Sequence, residues 1–258
     1  MEEGLSVEAF YNGLAVDYHL LFQDWWEAAE WHGAAIDRLL TTLDVHPGAQ
    51  LLDCTCGIGT QALPLARRGY QVLGTDISRS AIDRGRREAE ERRIGVEFAV
   101  CDIRDVGTLA SSPFDAVLAC DNSLPHLRTE ADLIAALRSI RMCLSQGGVF
   151  VASIRDYDAL SIDRPSGVAP VTYHSHGRRR VVGQAWQWSD DGDTVLVMLF
   201  ILQEKLRDWT CSSWDTQFRA WRRAEIEAAL TTSGFHGTTW HTPEASGFYQ
   251  PIVTARAI

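Results

Sequence analysis

Four carboxylates stand at the ends of apolar runs in the first half of this 258-residue chain. Asp53 follows Leu51-Leu52, Asp76 follows Val72–Thr75, Asp102 follows Val100-Cys101, and Asp121 follows Val117–Cys120. In an open α/β sheet, ligands sit beyond the carboxyl ends of the strands, so a row of acids there forms a rim of hydrogen-bond acceptors. Each acid alone is equally at home as a helix N-cap; their joint recurrence favours the rim. Such a rim suits a nucleoside with a polar tail. Between the first two acids runs a turn, Cys54-Thr55-Cys56-Gly57-Ile58-Gly59-Thr60, and Asp76 follows Gly59 by 17 residues, where an acid reaches ribose hydroxyls. Ile77 and Ile103, next to Asp76 and Asp102, are positioned to clamp an adenine, with Asp102 accepting from its exocyclic amine.

The elements that must position these residues follow from periodicity. Residues 5–46 read as helical: Phe10, Leu14, Tyr18, Leu21 and Trp25, then Ile36, Leu39, Leu40 and Leu43, recur at three- and four-residue spacing up to the break at His46-Pro47-Gly48. Strands are expected at 50–54, 71–75, 96–100, 114–120 and 149–153, alternating with helices at 60–68, 79–93 and 130–144. That alternation is the mark of a parallel sheet with helices on both faces. From 168 to 219 the pattern becomes β-rich runs, with a turn at Asp190-Asp191-Gly192-Asp193, and reads as an antiparallel meander set into the α/β unit. A helix at 222–233 and strands at 236–241 and 251–257 complete the chain. The fold class is α/β, a doubly wound, Rossmann-like, seven-stranded sheet with an inserted antiparallel β lid. The expected division is 1–45 as an N-terminal helical lid, 46–165 with 220–258 as the nucleoside-binding unit, and 166–219 as a lid over a second substrate.

Composition narrows the function. Apolar residues make up 46% and charged residues 22%, the balance of a globular protein with a core large enough to need no staple. A net charge of −10 argues against general nucleic-acid binding, which needs Lys and Arg for phosphate contacts. The run Arg178-Arg179-Arg180 reads as a solvated loop or strand end. The six cysteines form no C-x-x-C pair and read as buried free thiols of a reducing compartment. Met1-Glu2-Glu3 begins no signal peptide, and the longest apolar run, Val195–Leu202, is a strand too short to span a bilayer. A cytoplasmic protein with no membrane partner is expected. His174-x-His176 lacks a nearby third ligand, so no metal site is expected.

The turn leaves two ligands to weigh. Gly57-x-Gly59-x-x-Ala62 satisfies the dinucleotide fingerprint, which would suit a nicotinamide dehydrogenase. Against this, Asp53 would present a negative charge to a pyrophosphate approaching the helix N-terminus. An acid there suits a tail made of an ammonium and a carboxylate, and S-adenosylmethionine is such a ligand.

On these residues the chain resembles the class I S-adenosylmethionine-dependent methyltransferases. The first motif, usually an acid followed by x-Gly-x-Gly-x-Gly, stands here as Asp53–Gly59 with Thr55 replacing the first glycine. A β-branched residue tolerates positive φ poorly, so an altered turn is expected at Thr55. Within the class the chain is similar to the glycine N-methyltransferase and glycine/sarcosine N-methyltransferase branch, through Leu51–Leu63, Asp121–His126, Arg155–Asp158, Tyr249–Val253 and the aromatic N-terminal segment.

The resemblance implies N-methylation of a small, carboxylate-bearing amine, glycine or a glycine-like amino acid; a natural-product tailoring enzyme with a bulkier acceptor is the alternative. It allows a homo-oligomer. It assigns the cofactor to Asp53, Thr55, Gly57, Gly59, Asp76, Ile77, Asp102, Ile103, Cys120 and His126, with Tyr18, Trp26 and His32 from the N-terminal helices. His32 stands where the branch carries an Arg that meets the methionine carboxylate. Asn122 and Arg155 are assigned to the acceptor, Arg155 gripping its carboxylate, and Tyr157 joins them at the acceptor site.

Overall fold

The computed structural model describes residues 6–109, 113–175, 177–206 and 208–258. His176 lies outside the described residues. The N-terminal segment is not one helix. Helix α1 (Val7–Leu14) ends early, a 3-10 turn spans Tyr18–Leu21, and α2 (Trp25–Thr42) starts afresh. The division is local chemistry: the Asp24 carboxylate accepts from the Glu27 amide and caps α2, as the Ser6 hydroxyl caps α1 by accepting from Ala9.

Five strands then alternate with helices: β1 (Gln50–Asp53), α3 (Ala62–Arg67), β2 (Gln71–Asp76), α4 (Arg79–Arg92), β3 (Glu97–Val100), β4 (Phe114–Ala119), α5 (Glu130–Cys143) and β5 (Leu144–Ser153). A short α6 (Tyr157–Asp163) was not legible in the periodicity. It precedes four antiparallel strands, β6 (Gly167–Ser175), β7 (Arg178–Trp188), β8 (Thr194–Lys205) and β9 (Asp208–Arg219). The chain closes with α7 (Arg223–Thr232), β10 (Phe235–His241), α8 (Pro243–Ser246) and β11 (Ile252–Ala257).

The large sheet has seven strands in the order β10-β11-β5-β4-β1-β2-β3. β1 to β5 run parallel, and β11 is antiparallel to both its neighbours. Strand order reverses between β1 and β4, the switch point at which open α/β sheets open a crevice. Leu51 and Leu52 on β1 point to opposite faces and are both fully buried, one in each of two apolar clusters. Burial of each contributes about 2 kcal/mol. The second sheet has four strands in the order β6-β7-β8-β9. Helix α1 packs between α4 and β9, so the first helix touches both sheets' territory.

Candidate cofactor and acceptor site

β1 ends at Asp53, and the turn after it is stitched to its neighbours: Cys54 N donates to Leu118 O and Cys56 N to Thr75 O. The left-handed positions are Gly57 (φ 53°) and Gly59 (φ 94°). Thr55 is not among the residues of positive φ, so its β-branch costs nothing and the anticipated distortion is absent. The Thr55 hydroxyl instead donates to Ser123 Oγ (3.1 Å), tying the first turn to the loop after β4. A Cβ on Gly57 would meet nothing within 4 Å, because that face looks into open space. On Gly59 it would lie 2.9 Å from Leu63, so this glycine serves packing.

The open space is a cavity of about 350 Å³. Thr55, Gly57, Asp76, Ile77, Asp102, Ile103 and Cys120 form its wall on the strand side. Tyr18 and His126 also line it, together with Tyr11, Gln61 and Asp121. Asp76 is nearly buried and accepts amide hydrogens from Gly57 (2.9 Å) and Ser78 (2.8 Å). Burial raises its carboxyl, and those two amides oppose the rise. Partial burial would also raise Asp102, but the Arg104 guanidinium on both its oxygens and the Arg104 amide hold it below the usual range. Each carboxylate keeps unused lone pairs for hydroxyl or amine donors. The Asp121 oxygens accept from Gln61 Nε2 (3.0 Å) and Tyr249 Oη (3.0 Å).

Asp53 does not line the cavity. It lies beneath it, fully buried, with no hydrogen-bond partner on either oxygen. Burial first, then the Asp121 and Asp76 charges, push its pKa up to about 8; the Thr55 and Ala62 amides lie near enough to oppose this without closing a hydrogen bond. Burial likewise pushes the Cys54, Cys56 and Cys120 thiols up, which keeps them inert. Orphaned carboxylate oxygens under an acidic rim fit a ligand that brings positive charge and hydroxyl donors.

Two N-terminal candidates lie off the cavity wall. Trp26 is not on the cavity wall: its ring faces out from α2 under the Arg92 guanidinium (4.4 Å), with Arg67 at 5.7 Å. His32 is buried in an aromatic stack, parallel to Tyr249 (centroids 5.0 Å, 16°) and 5.0 Å from Phe248, and does not line the cavity. Burial lowers its pKa, and Nδ1 has no partner.

The three acceptor assignments form a separate cluster beside the cavity. Asn122 (φ 63°) and Tyr157 are buried: Asn122 Nδ2 donates to Tyr157 Oη (3.0 Å), and Asn122 Oδ1 accepts from the Arg155 amide (3.1 Å). Asn122 therefore braces the Arg155 backbone, and Tyr157 braces Asn122. The Arg155 guanidinium lies over the Trp186 ring (4.8 Å) and beside Phe218 (5.6 Å). Its Nη2 donates to Gln184 Oε1 (3.2 Å), while Nη1 is buried without a partner. His126 joins cluster to cavity: Nε2 pairs with Tyr11 Oη (2.9 Å), Nδ1 lies 3.4 Å from Thr216 Oγ1, and Phe218 packs edge-on at 4.6 Å. Burial, then the Arg155 and Arg128 charges, drop His126 to about 3, so the imidazole is neutral.

Residues 51–148 match a family described as a methyltransferase domain. These residues carry a methyltransferase domain, and the fold is that of S-adenosylmethionine-dependent methyltransferases. Solved structures of similar fold hold S-adenosylmethionine or S-adenosylhomocysteine, and the nicotinamide reading gains no support. A glycine/sarcosine N-methyltransferase of Parasynechococcus marenigrum is 31% identical over 53% of this chain and 48% of its own length. One from Aphanothece halophytica is 26% identical over 54% and 53%. The chain thus spans about half the length of these curated relatives. The methyltransferase fold extends further: the CcbJ methyltransferase of Streptomyces caelestis superposes with a TM-score of 0.77 at 20% identity, covering 98% of this chain and 99% of that one. The amino pentose methyltransferase CalS10 of Micromonospora echinaspora, with its cofactor bound, gives 0.72 at 20% identity over 100% of both chains. Among the described residues no helix is long and apolar enough to cross a membrane, and no group of three or more His, Cys, Asp or Glu is placed to hold a metal ion.

Proposed function

We propose that this protein transfers the methyl group of S-adenosylmethionine to the nitrogen of a small amine that carries a carboxylate, a glycine-like amino acid. The observation that carries the reading is Arg155, a guanidinium stacked on aromatic rings with a buried, unpartnered Nη1. A buried cation with an unused donor calls for an anion. The glycine/sarcosine relatives support the same class of acceptor.

The cofactor supplies a methyl already activated on a sulfonium. Asp76 and Asp102 would take its ribose and adenine, Ile77 and Ile103 would flank the base, and Asp121 and Tyr18 would face its cationic end, with the buried Asp53 behind the wall. The chain's own work is alignment and exclusion of water. The N–CH3 bond forms as the S–CH3 bond breaks, and the amine's proton leaves to water before the amine binds. His126, with its pKa lowered to about 3, is too weak a base to take that proton, so the proton has to leave to water first. Residues 1–45 and 166–219 act as covers over cofactor and acceptor in this reading.

A second acceptor class follows from the end-to-end fold likeness to an amino pentose methyltransferase. A neutral sugar leaves the Arg155 charge unanswered, which favours the first class. The test is transfer of a radiolabelled methyl group to glycine, sarcosine and amino sugars. Arg155→Ala should lower turnover of glycine or sarcosine at least 100-fold, with S-adenosylhomocysteine binding unchanged within twofold. Efficient labelling of amino sugars, indifferent to Arg155→Ala, would refute the carboxylate reading.

A further inference from the structure

The inserted sheet reaches the Arg155 cluster through one face. Trp186 on β7 lies opposite Val197 on β8, which lies opposite Thr216 on β9; Gln184, Leu199 and Trp214 form the next row on that side. Two of these side chains meet at one atom. Gln184 Oε1 accepts from Arg155 Nη2 (3.2 Å) and from Trp186 Nε1 (3.0 Å). The neighbouring donor, Arg155 Nη1, is buried and has no partner. The guanidinium is held in place by the rings of Trp186 and Phe218 and by Asn122, which accepts from the Arg155 amide.

The mismatch is chemical. A carboxamide offers one acceptor oxygen, whereas the two Nη groups of an arginine match the two oxygens of a carboxylate. Gln184 therefore satisfies half of the receptor and none of its charge. We propose that the Gln184 side chain is a placeholder for one acceptor carboxylate oxygen and swings aside when the acceptor binds, making Gln184 a specificity-determining residue. An anion in its place takes Nη1 and Nη2 together and receives the Trp186 N–H on the shared oxygen. Charge-assisted hydrogen bonds are roughly twice as strong as neutral ones, so the exchange favours the anion. The cost of displacing Gln184 selects against acceptors with no negative charge. This inference rests on the carboxylate reading of Arg155 given above.

The test uses acetate as a minimal carboxylate, titrated into the full chain saturated with S-adenosylhomocysteine. The Trp186 indole N–H resonance, assigned with Trp186→Phe, reports the exchange. Gln184→Leu removes the competing oxygen at similar volume and should bind acetate at least threefold more tightly than the parent protein. Gln184→Glu installs a resident carboxylate: it should abolish the acetate response and raise the thermal midpoint through its pairing with Arg155. With a turned-over acceptor, Gln184→Leu should lower KM and leave kcat within twofold, a split that a merely structural role would not give. Equal acetate affinity in parent and Gln184→Leu, an unaltered response in Gln184→Glu, or no acetate response in any protein overturns the proposal. If acetate behaves as stated but neither glycine nor sarcosine is methylated, the placeholder stands and the amino-acid acceptor falls. If glycine is methylated and the acetate titration ignores Gln184, the placeholder alone falls.

Discussion

Replacing Asp53 by Asn should make the cofactor-free protein more stable and a poorer cofactor binder. Asp53 is fully buried, both its oxygens are orphaned, and its pKa is pushed from 3.8 up to about 8. The folded protein therefore holds a proton that the unfolded chain releases above pH 4. The stability this confers is complete below the unfolded value and is lost as pH rises through the folded one. Near pH 7.5 the gap is almost four units, and each unit is about 1.4 kcal/mol, so the loss approaches 5 kcal/mol. Asn cannot ionise and escapes that loss. Its own amide is left in the same dry site, which returns about 1–3 kcal/mol. A net gain of about 2–4 kcal/mol at pH 7.5 is expected, shrinking toward zero or below near pH 4. Urea unfolding from pH 4.5 to 9 without cofactor measures it. S-adenosylmethionine binding by calorimetry should weaken at least tenfold, because asparagine cannot ionise in answer to the ligand's positive charge as Asp53 can. Equal pH slopes in the two proteins would refute the reasoning.

Three further outcomes follow. His126 has its pKa lowered to about 3 by burial and by Arg155 and Arg128. Its contribution to stability is therefore full above the unfolded value near 6.5 and is lost as pH falls; about 1.4 kcal/mol should go by pH 5.5, and His126→Asn should flatten that part of the urea profile. Gly33→Ala would put a Cβ 2.6 Å from the Pro64 ring, prising α2 from α3; despite the better helix propensity of alanine, a loss of about 1–3 kcal/mol in urea unfolding is expected. Thr55→Gly should bring no relief of strain, since Thr55 has no positive φ to escape, and should cost about 0.5–1 kcal/mol in thermal or urea unfolding.

The strand-end acids were legible because strand, turn and acid are contiguous and the α/β alternation fixes which end of the sheet they crown. Asp76, Asp102 and Asp121 come from three different strands and share one cavity wall. The N-terminal helices were harder. Aromatic residues crowd α2, and Trp25 is buried while its neighbour Trp26 faces Arg92; periodicity located the helix without fixing its rotation. The position of His32 was hidden for the same reason, its ring packed against Tyr249 and Phe248 from more than 200 residues away. α6 and α8, at seven and four residues, are too short to display a helical period. Gln184 and Thr216 carried no signal, because what they touch is set by strand register and by the placement of one sheet against the other. Tyr157 and Asn122 were found by motif, but whether they meet a ligand or each other depends on burial, which sequence spacing does not encode.

The segments entering and leaving the four-stranded sheet meet at a single clasp. Arg223, at the start of α7, donates through Nη2 to Asp156 and through its backbone N–H to Asp158, on the far side of the sheet's departure point. Nearby, Arg219 pairs with both Asp193 and Glu225. The leaf is thereby pinched shut at its root, while its far end is tied to the segment before α2, where Gln23 donates to His174 O and Arg180 to Phe22 O.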